Sequence, residues 1–145
     1  MLSPLTLPVA RYAKASGFDC RLMTNATLIN EQNADELANL FETIKISVDG
    51  SDATRHDFYR GKGSYDKTTR AIDLLLKRGA NVYLAMVVTR QNMHDVSATA
   101  RKWGNLMNFQ PLFPLGRARA ADSLYLFGAR ILRRSVEGCS RRPLF

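Results

Sequence analysis

Polar side chains that could bind a small ligand follow four short apolar runs along the chain. They are Thr24 and Asn25, Ser47 and Asp49, Thr89 and Asn92, and Gly116 and Arg117. Hydroxyl and amide groups suit the neutral groups of a ribose or an amino acid, whereas the planar guanidinium of arginine suits a carboxylate. Because the carboxyl ends of parallel strands meet at one edge of a sheet, we expect these residues to converge on a common rim.

The most informative of these runs is Ile44-Lys45-Ile46-Ser47-Val48-Asp49-Gly50. Its apolar residues alternate as in a strand, and hydroxyl, carboxylate and glycine follow where the strand must end. We interpret Ser51 to Arg60, with the turn Gly61-Lys62-Gly63, as a polar glycine-bearing loop that precedes a helix. Open α/β sheets and barrels bind ligands at such places, so this segment is the predicted site region.

Helical and strand patterns alternate through most of the chain. Strands are predicted to start near residues 18, 43, 81 and 106, and helices cover Pro8 to Ser16, Asn30 to Phe41, Ser64 to Gly79 and Met93 to Gly104. The continuous apolar run from Val82 to Val88 is typical of a parallel strand that is covered on both faces. The alternation predicts an α/β fold whose parallel strands are joined by right-handed crossovers.

Composition favours one soluble domain, because 46% of the 145 residues are hydrophobic and 23% are charged. We expect this domain to cover residues 1–119, followed by an Arg-rich extension over 120–145. Residues 117–145 hold seven Arg against Asp122 and Glu137, which is +5 of the +8 net charge. No nucleic-acid recognition motif accompanies that charge, so a solvated surface is favoured over nucleic-acid binding. No apolar run approaches the roughly 20 residues that cross a bilayer, so we expect a cytoplasmic protein without membrane contact.

The two cysteines, Cys20 and Cys139, lie far apart in the sequence and form neither a C-x-x-C nor a C-x-x-x-C group. The sequence therefore offers no disulfide framework and no metal site. We expect Cys20 to be a small buried residue within a strand rather than a ligand. His56 is expected to stabilise its loop by hydrogen bonding, with acid–base catalysis as the alternative.

Five short segments, taken in order, resemble those of radical SAM enzymes. They are Thr24-Asn25-Ala26-Thr27-Leu28-Ile29, Ile46-Ser47-Val48-Asp49-Gly50, His56 to Asp66, Val88-Thr89-Arg90-Gln91-Asn92 and Pro114-Leu115-Gly116-Arg117-Ala118. They resemble in particular the peptide- and protein-modifying (SPASM-type) branch, such as anaerobic sulfatase-maturating enzymes and coenzyme PQQ synthesis protein E. The resemblance covers about Pro8 to Arg119, and five motifs in order are far more specific than any one of them.

The resemblance implies a partial (β/α)6 barrel in which about four parallel strands correspond to the third to sixth strands of the radical SAM core. The first two strands are expected to be missing. In the family, three cysteines in C-x-x-x-C-x-x-C hold a [4Fe-4S] cluster that cleaves S-adenosylmethionine reductively to modify a peptide or protein. This chain lacks that motif, so we expect a fragment that holds no complete cofactor and is inactive alone.

The resemblance also implies roles for single residues. Ser47 is expected to contact the ribose or methionine part of S-adenosylmethionine, and Asp49 is expected to contact the cofactor or to brace the loop by an Asx-type turn. Gly50 is expected to serve backbone conformation. Thr24 and Asn25 are expected to contact the cofactor, with a turn and a helix cap as the alternative. They match the family's Thr-Asn-Gly turn, with Ala26 in place of the glycine, so a turn that needs positive φ would be strained.

Three further residues are assigned in the same way, and two of them have an alternative. Arg60 is predicted to clamp a carboxylate of S-adenosylmethionine or substrate, or to form a surface ion pair with Asp57 or Asp66. Asn92 is predicted to contact the cofactor or to cap a helix. Arg117 is predicted to hold the substrate.

Other interpretations of the whole chain stay open at this point. Missing strands would leave the first strand as an exposed sheet edge, so we expect self-association or pairing with a separate N-terminal half. The alternatives to an enzyme are a non-catalytic module that binds a ligand or peptide, a basic protein associated with nucleic acid, and a broken-gene product without its own function.

Overall fold

The computed structural model describes residues 3–113, in which helices and strands alternate. The elements are α1 Thr6–Ala15, β1 Arg21–Thr24, α2 Ala34–Leu40, β2 Thr43–Ser47, α3 Ala53–Arg60, α4 Ser64–Lys77, β3 Val82–Val88, α5 Val96–Trp103 and β4 Met107–Pro111. The 3₁₀ turns Met93–Asp95 and Gly104–Leu106 flank α5. Within residues 3–113, every helix is too short or too polar to cross a membrane.

The four strands form one parallel sheet in the order β1-β2-β3-β4. Ile44 of β2 lies between Leu22 of β1 and Val82 of β3, and Leu84 of β3 lies opposite Met107 of β4. Strands that are neighbours both in sequence and in space, with helices in the crossovers, form one arc of a (β/α) barrel. The α/β prediction with four parallel strands is therefore confirmed.

One face of this sheet is packed against the helices. Ile44, Ile46 and Leu84 are fully buried there against Leu37 of α2 and Leu75 of α4. These side chains alternate along each strand, as the period of a β-strand requires, so a single register buries every second residue.

The other face is open within residues 3–113, and the prediction that β3 is covered on both faces is wrong for this part of the chain. Val87 is 37% exposed and Met23 of β1 is 74% exposed. Strands added in one direction by right-handed crossovers place all their helices on the same side of the sheet. We call the uncovered side the open face.

The predicted loop from Ser51 to Arg60 is mostly helical, because α3 occupies Ala53–Arg60. Asp52 caps α3, since its side chain accepts a 3.0 Å hydrogen bond from the backbone N–H of Arg55. His56 is the one fully buried side chain of α3. A helix with so little buried surface carries no apolar stripe of helical period, so the sequence pattern predicted a loop.

Several predicted boundaries shift by a few residues. Helix α1 begins at Thr6 and ends at Ala15, and β1 begins at Arg21, so half-buried Cys20 precedes the strand instead of lying within it. Helix α2 begins at Ala34 rather than Asn30, because Asn30 and Asn33 form a turn. In that turn the Asn33 side chain accepts from the Asn30 N–H at 2.9 Å and donates to the Leu28 carbonyl oxygen at 2.9 Å.

Ala26 adopts the left-handed conformation that the resemblance expected of a glycine. Its φ is 61°, and its side chain is fully buried. The Thr24 hydroxyl accepts a 3.0 Å hydrogen bond from the Ala26 N–H, and Thr68 of α4 donates to the Asn25 carbonyl oxygen at 2.9 Å. These contacts hold the turn in place, so the strain predicted for alanine is retained.

Ala26→Gly is expected to be tolerated, whereas Ala71→Gly is expected to destabilise the fold. Relief of the left-handed strain, about 1 kcal/mol, offsets the loss of one buried methyl group at Ala26. Ala71 is equally buried but lies within α4, where glycine loses helix propensity as well, for a total of about 2 kcal/mol. Urea denaturation of both variants measures the difference, and equal losses of unfolding free energy would contradict strain at Ala26.

Candidate functional site

The carboxyl ends of the strands form one rim, as the parallel order requires. Ser47 is the last residue of β2, and Thr24, the last residue of β1, lies opposite Ile46. This register places the Thr24 side chain on the helix-covered face, since Ile46 lies there, and places Ser47 on the open face. The two predicted site residues therefore share the rim but face opposite sides of the sheet.

Ser47 is half-buried on the open face, opposite Ala85 of β3. The described residues supply no hydrogen-bond partner for the Ser47 hydroxyl, and Ala85 carries only a methyl group. A hydroxyl at this place is free to donate to or accept from a bound ligand.

Asp49 braces the rim by contacts with two other elements instead of an Asx-type turn. Its carboxylate pairs with the Arg60 guanidinium at 2.5 Å and accepts from the Val87 backbone N–H at 3.3 Å. Only 9% of the Asp49 side chain is exposed, against 32% for Arg60. The predicted alternative partners of Arg60, Asp57 and Asp66, are thus wrong, because Asp49 occupies its guanidinium.

Asp57 instead caps α4 from outside the helix. Its carboxylate accepts from the backbone N–H groups of Gly63 and Tyr65, at 2.5 Å and 2.8 Å, and from the Ser64 hydroxyl at 3.0 Å. These bonds, above all the one from Tyr65, lower the pKa of Asp57. Ser64, where the sequence predicts this helix to begin, is the first residue of α4, and its hydroxyl donates to Asp57.

His56 lies on α3 and is 1% exposed. Its Nδ1 accepts a 3.3 Å hydrogen bond from the Asp49 backbone N–H, which assigns the ring proton to Nε2. Burial lowers the pKa of His56, and the positive charge of Arg60 acts in the same direction, while Asp49 and Asp57 oppose it. His56 is thus a neutral bridge between the strand end and α3.

The lowered pKa of His56 predicts that stability falls in acid. The unfolded chain binds the proton near pH 6.5 while folded His56 resists it, so the unfolding free energy is highest above 6.5 and decreases as pH falls through and below that value. Denaturation at about pH 7.5 and about pH 5.5 should show this decrease, and His56→Asn, which keeps an acceptor, should reduce it. His94→Asn, at an exposed histidine, is the control. An unchanged pH dependence in His56→Asn would contradict the assignment.

Asn92 is 4% exposed and uses its amide to close the turn after β3. Its Oδ1 accepts from the Thr89 backbone N–H at 2.7 Å, and its Nδ2 donates to the Val87 carbonyl oxygen at 2.9 Å. It occupies the N-cap position of the 3₁₀ turn without a side-chain cap bond. The predicted helix cap is therefore wrong, and Asn92 lies at the rim with both amide atoms engaged.

Asp95 is a residue of this region that sequence reasoning missed. It is 2% exposed and accepts from the Ser51 backbone N–H and hydroxyl, both at 2.7 Å, and from Arg55 at 3.2 Å. Tyr65 donates to the Ser51 carbonyl oxygen at 2.7 Å, so Ser51 is held from two sides. The one signal in the sequence is an acidic residue directly before α5, where carboxylates favour helix starts.

A cleft of about 390 Å³ lies beside the rim, between α3 and the turn after β3. It is lined by Thr54, Arg55, Phe58, Tyr59, Gln91, Asn92, His94 and Asp95. Phe58 is 75% exposed at its edge. The volume of the cleft is that of a small-molecule site, although the cleft lies outside the open face that carries Ser47.

Residues 3–113 contain no group of three or more His, Cys, Asp or Glu side chains that could hold a metal ion. Cys20 is the single cysteine within residues 3–113. A [4Fe-4S] cluster needs several thiolates, so these residues do not fit a cluster. Cys139, Gly116 and Arg117 lie outside the described residues.

The family model of the radical SAM superfamily matches residues 1–102, which include α1 to most of α5 and the carboxyl ends of β1, β2 and β3. The chain belongs to the radical SAM superfamily. The predicted recognition of this family is therefore confirmed.

Two curated relatives illustrate the similarity to other radical SAM proteins. Mycofactocin maturase MftC of Mycolicibacterium smegmatis is 34% identical over 111 residues, covering 73% of this chain and 28% of the maturase. AdoMet-dependent heme synthase of Nitratidesulfovibrio vulgaris is 33% identical over 113 residues, covering 74% of this chain and 31% of the synthase. The chain thus spans about a third of the length of these relatives.

A solved structure of native anSMEcpe with bound AdoMet and Kp18Cys peptide has the same fold as this radical SAM chain. The TM-score is 0.61 at 23% sequence identity, and the match covers 76% of this chain and 33% of that one. The described sheet is accordingly an arc of the radical SAM barrel.

Proposed function

We propose that this chain forms part of the core of a radical SAM enzyme that modifies a peptide or protein, and that its rim contacts S-adenosylmethionine through Ser47. The family match over residues 1–102 carries the proposal. A maturase among the relatives and the peptide bound to anSMEcpe support a peptide substrate over the porphyrin chemistry that the heme synthase suggests. A sulfatase-maturase-like, SPASM-type reaction and a cytoplasmic location belong to the same proposal.

Ser47 offers the chemistry that a ribose or amino-acid group requires. Its hydroxyl has no partner among residues 3–113 and lies at the strand end on the open face. Asp49, paired with Arg60 and bonded to Val87, fixes the backbone directly after Ser47. Bound S-adenosylmethionine supplies the radical in this family, and the residues of this chain bind and orient it. No step is assigned to an iron–sulfur cluster, because the described residues do not fit one.

The remaining predicted residues are given narrower roles. Thr24, Asn25 and Asn92 shape the rim, because their side chains bond to neighbouring backbone groups. Arg117 is proposed to hold the substrate. Nucleic acid and membranes are not among the proposed partners.

Binding of S-adenosylmethionine to the purified chain, measured by calorimetry, tests the role of Ser47. Ser47→Ala is expected to weaken binding about fivefold to tenfold, the effect of one lost hydrogen bond. Ser97→Ala removes an exposed hydroxyl of α5 and should leave affinity unchanged. Equal affinities of the wild type and Ser47→Ala would remove Ser47 from the site, and absence of binding to the wild type would reject cofactor binding by this chain.

Self-association is expected at the β1 edge of the sheet. β1 has a strand partner on one side only among the described residues, and Met23 is 74% exposed and Val9 of α1 61% exposed beside it. Unpaired strand edges with apolar neighbours favour pairing with another chain. Light scattering should give an apparent mass that rises with concentration and falls for Met23→Lys. A constant monomer mass would contradict the expectation.

A further inference from the structure

Lys45, a cation of the open face, is better placed to bind an anion than Arg60. Arg60 was the predicted carboxylate clamp, yet the structure pairs it with Asp49 at 2.5 Å. Lys45 lies on the open face, two residues before Ser47 on the same strand. We propose that Lys45 is the anion-binding residue of the open face and holds a carboxylate of the ligand whose neutral part contacts Ser47.

The charged side chains of the open face are all positive. Its residues, taken from the register, are Arg21, Met23, Thr43, Lys45, Ser47, Tyr83, Ala85, Val87, Asn108 and Gln110. Two of them are cations and none is an acid, and the strands contain no Asp or Glu at any position. The carboxylates that flank β2 are Glu42, which lies 3.9 Å from Arg21, and Asp49, which is occupied by Arg60 and Val87.

Lys45 has only neutral partners among residues 3–113. Its Nζ lies 3.5 Å from Oε1 of Gln110 on β4 and 5.7 Å from the centre of the Tyr83 ring on β3. Arg21, the other cation of this face, lies 3.9 Å from Glu42 and is mostly exposed. Lys45 is half-buried as a residue, and its ammonium has no counter-charge among residues 3–113, so a ligand anion can supply that charge.

The geometry links this cation to the proposed cofactor site. Side chains two residues apart on one strand share a face and are separated by about 7 Å. One ligand, or two adjacent ligands, can therefore bond to the Ser47 hydroxyl and place a carboxylate on the Lys45 ammonium. Tyr83 of β3 and Gln110 of β4 orient the ammonium. The inference rests on the proposed function, because that function places a ligand at Ser47.

The carboxylate belongs either to S-adenosylmethionine or to the substrate, and calorimetry with two pairs of probes separates these sources. The first pair is S-adenosylmethionine and 5′-methylthioadenosine, which lacks the amino-acid part. The second pair is N-acetylglycine and N-acetylglycinamide, which imitate a peptide end with and without its carboxylate. This pair is added to protein that is already saturated with a nucleoside of the first pair. The variants are Lys45→Met, Lys45→Arg and, as a charge control on the helical side, Lys77→Met at the end of α4.

A cofactor carboxylate on Lys45 predicts that Lys45→Met weakens S-adenosylmethionine binding about 10- to 100-fold and leaves 5′-methylthioadenosine unchanged. A substrate carboxylate predicts that wild type prefers N-acetylglycine to its amide and that Lys45→Met loses this preference. Lys45→Arg should retain most of either effect. Identical behaviour of Lys45→Met and wild type toward all four probes overturns the proposal, as does an equal effect of Lys77→Met.

Failure of the proposed function gives a different result. If wild type binds neither nucleoside, the Ser47 site is rejected. The free protein is then titrated with N-acetylglycine and its amide, and loss of the carboxylate preference in Lys45→Met still supports the anion site. A wild-type protein that binds N-acetylglycine no better than its amide overturns the anion site at Lys45.

Discussion

Gly50→Ala is expected to unfold or strongly destabilise the rim, with a loss of about 3 kcal/mol in the free energy of unfolding. A Cβ built at Gly50 lies 2.6 Å from the Arg55 Cβ and 2.7 Å from the His56 backbone nitrogen. One of these atoms belongs to the backbone of α3, so a rotamer change cannot remove the clash. Helix α3 would have to move away from the end of β2.

This reason differs from the one that the sequence suggested. Gly50 was expected to serve an unusual backbone conformation, but its φ lies outside the left-handed range, and close packing explains the glycine instead. The same displacement would weaken the bond between the Asp49 N–H and His56 Nδ1. Gly50→Ala is thus expected to reduce ligand binding at Ser47 as well as stability.

Gly17→Ala is the matched control for Gly50→Ala. Gly17 has φ +84° and nothing within 4 Å of a built Cβ, so alanine there should cost only about 1 kcal/mol of conformational strain. Denaturant unfolding of the two variants measures both costs. A loss at Gly50 no larger than the loss at Gly17 would show that α3 yields easily, contrary to the packing argument.

Asp49→Asn is expected to lower the free energy of unfolding by about 3 kcal/mol, which is the second large effect that we expect. The substitution keeps the size of the side chain but removes the charge that Arg60 pairs with, and the amide nitrogen cannot accept from the guanidinium. Because Asp49 is nearly buried, its ion pair is screened less by water than an exposed one. The residual positive charge of Arg60 would then lie beside the proposed cofactor site.

Asp52→Asn provides the comparison at an exposed ion pair. Asp52 pairs with Arg55 and is 44% exposed, and asparagine can still cap α3, so the loss should stay below about 1 kcal/mol. Thermal or urea unfolding of Asp49→Asn and Asp52→Asn measures the two losses in the free energy of unfolding. Arg60→Met combined with Asp49→Asn should recover part of the loss, since it removes the uncompensated charge. Equal losses at the two aspartates would refute a special role for Asp49.

The order of elements was accessible from the sequence because it depends on neighbouring residues. Alternation in Ile44, Ile46 and Val48 and the apolar run of β3 indicate strands directly, and the intervening helices show their own period. Parallel order then requires Ser47 and Thr89 to lie at one edge. The strain at Ala26 was equally local, since one residue type occupies a turn that needs positive φ.

The interactions of the site were decided by tertiary structure. Asp49 and Arg60 are 11 residues apart, and Asp95 and Ser51 are 44 apart, so no local period relates them. Each partner is chosen by where α3 and the turn after β3 pack on the rim.

The sequence by itself thus determined a parallel α/β fold with Ser47 at a strand end, because the periods of strands and helices depend on adjacent residues. Its resemblance to radical SAM enzymes came from five short motifs in order and not from those periods. Only the tertiary structure decided that Arg60 is occupied, that Gly50 is required by packing and that Lys45 lacks a counter-charge within the described residues. Those facts depend on distances between segments remote in sequence, which strand register and helix packing set together.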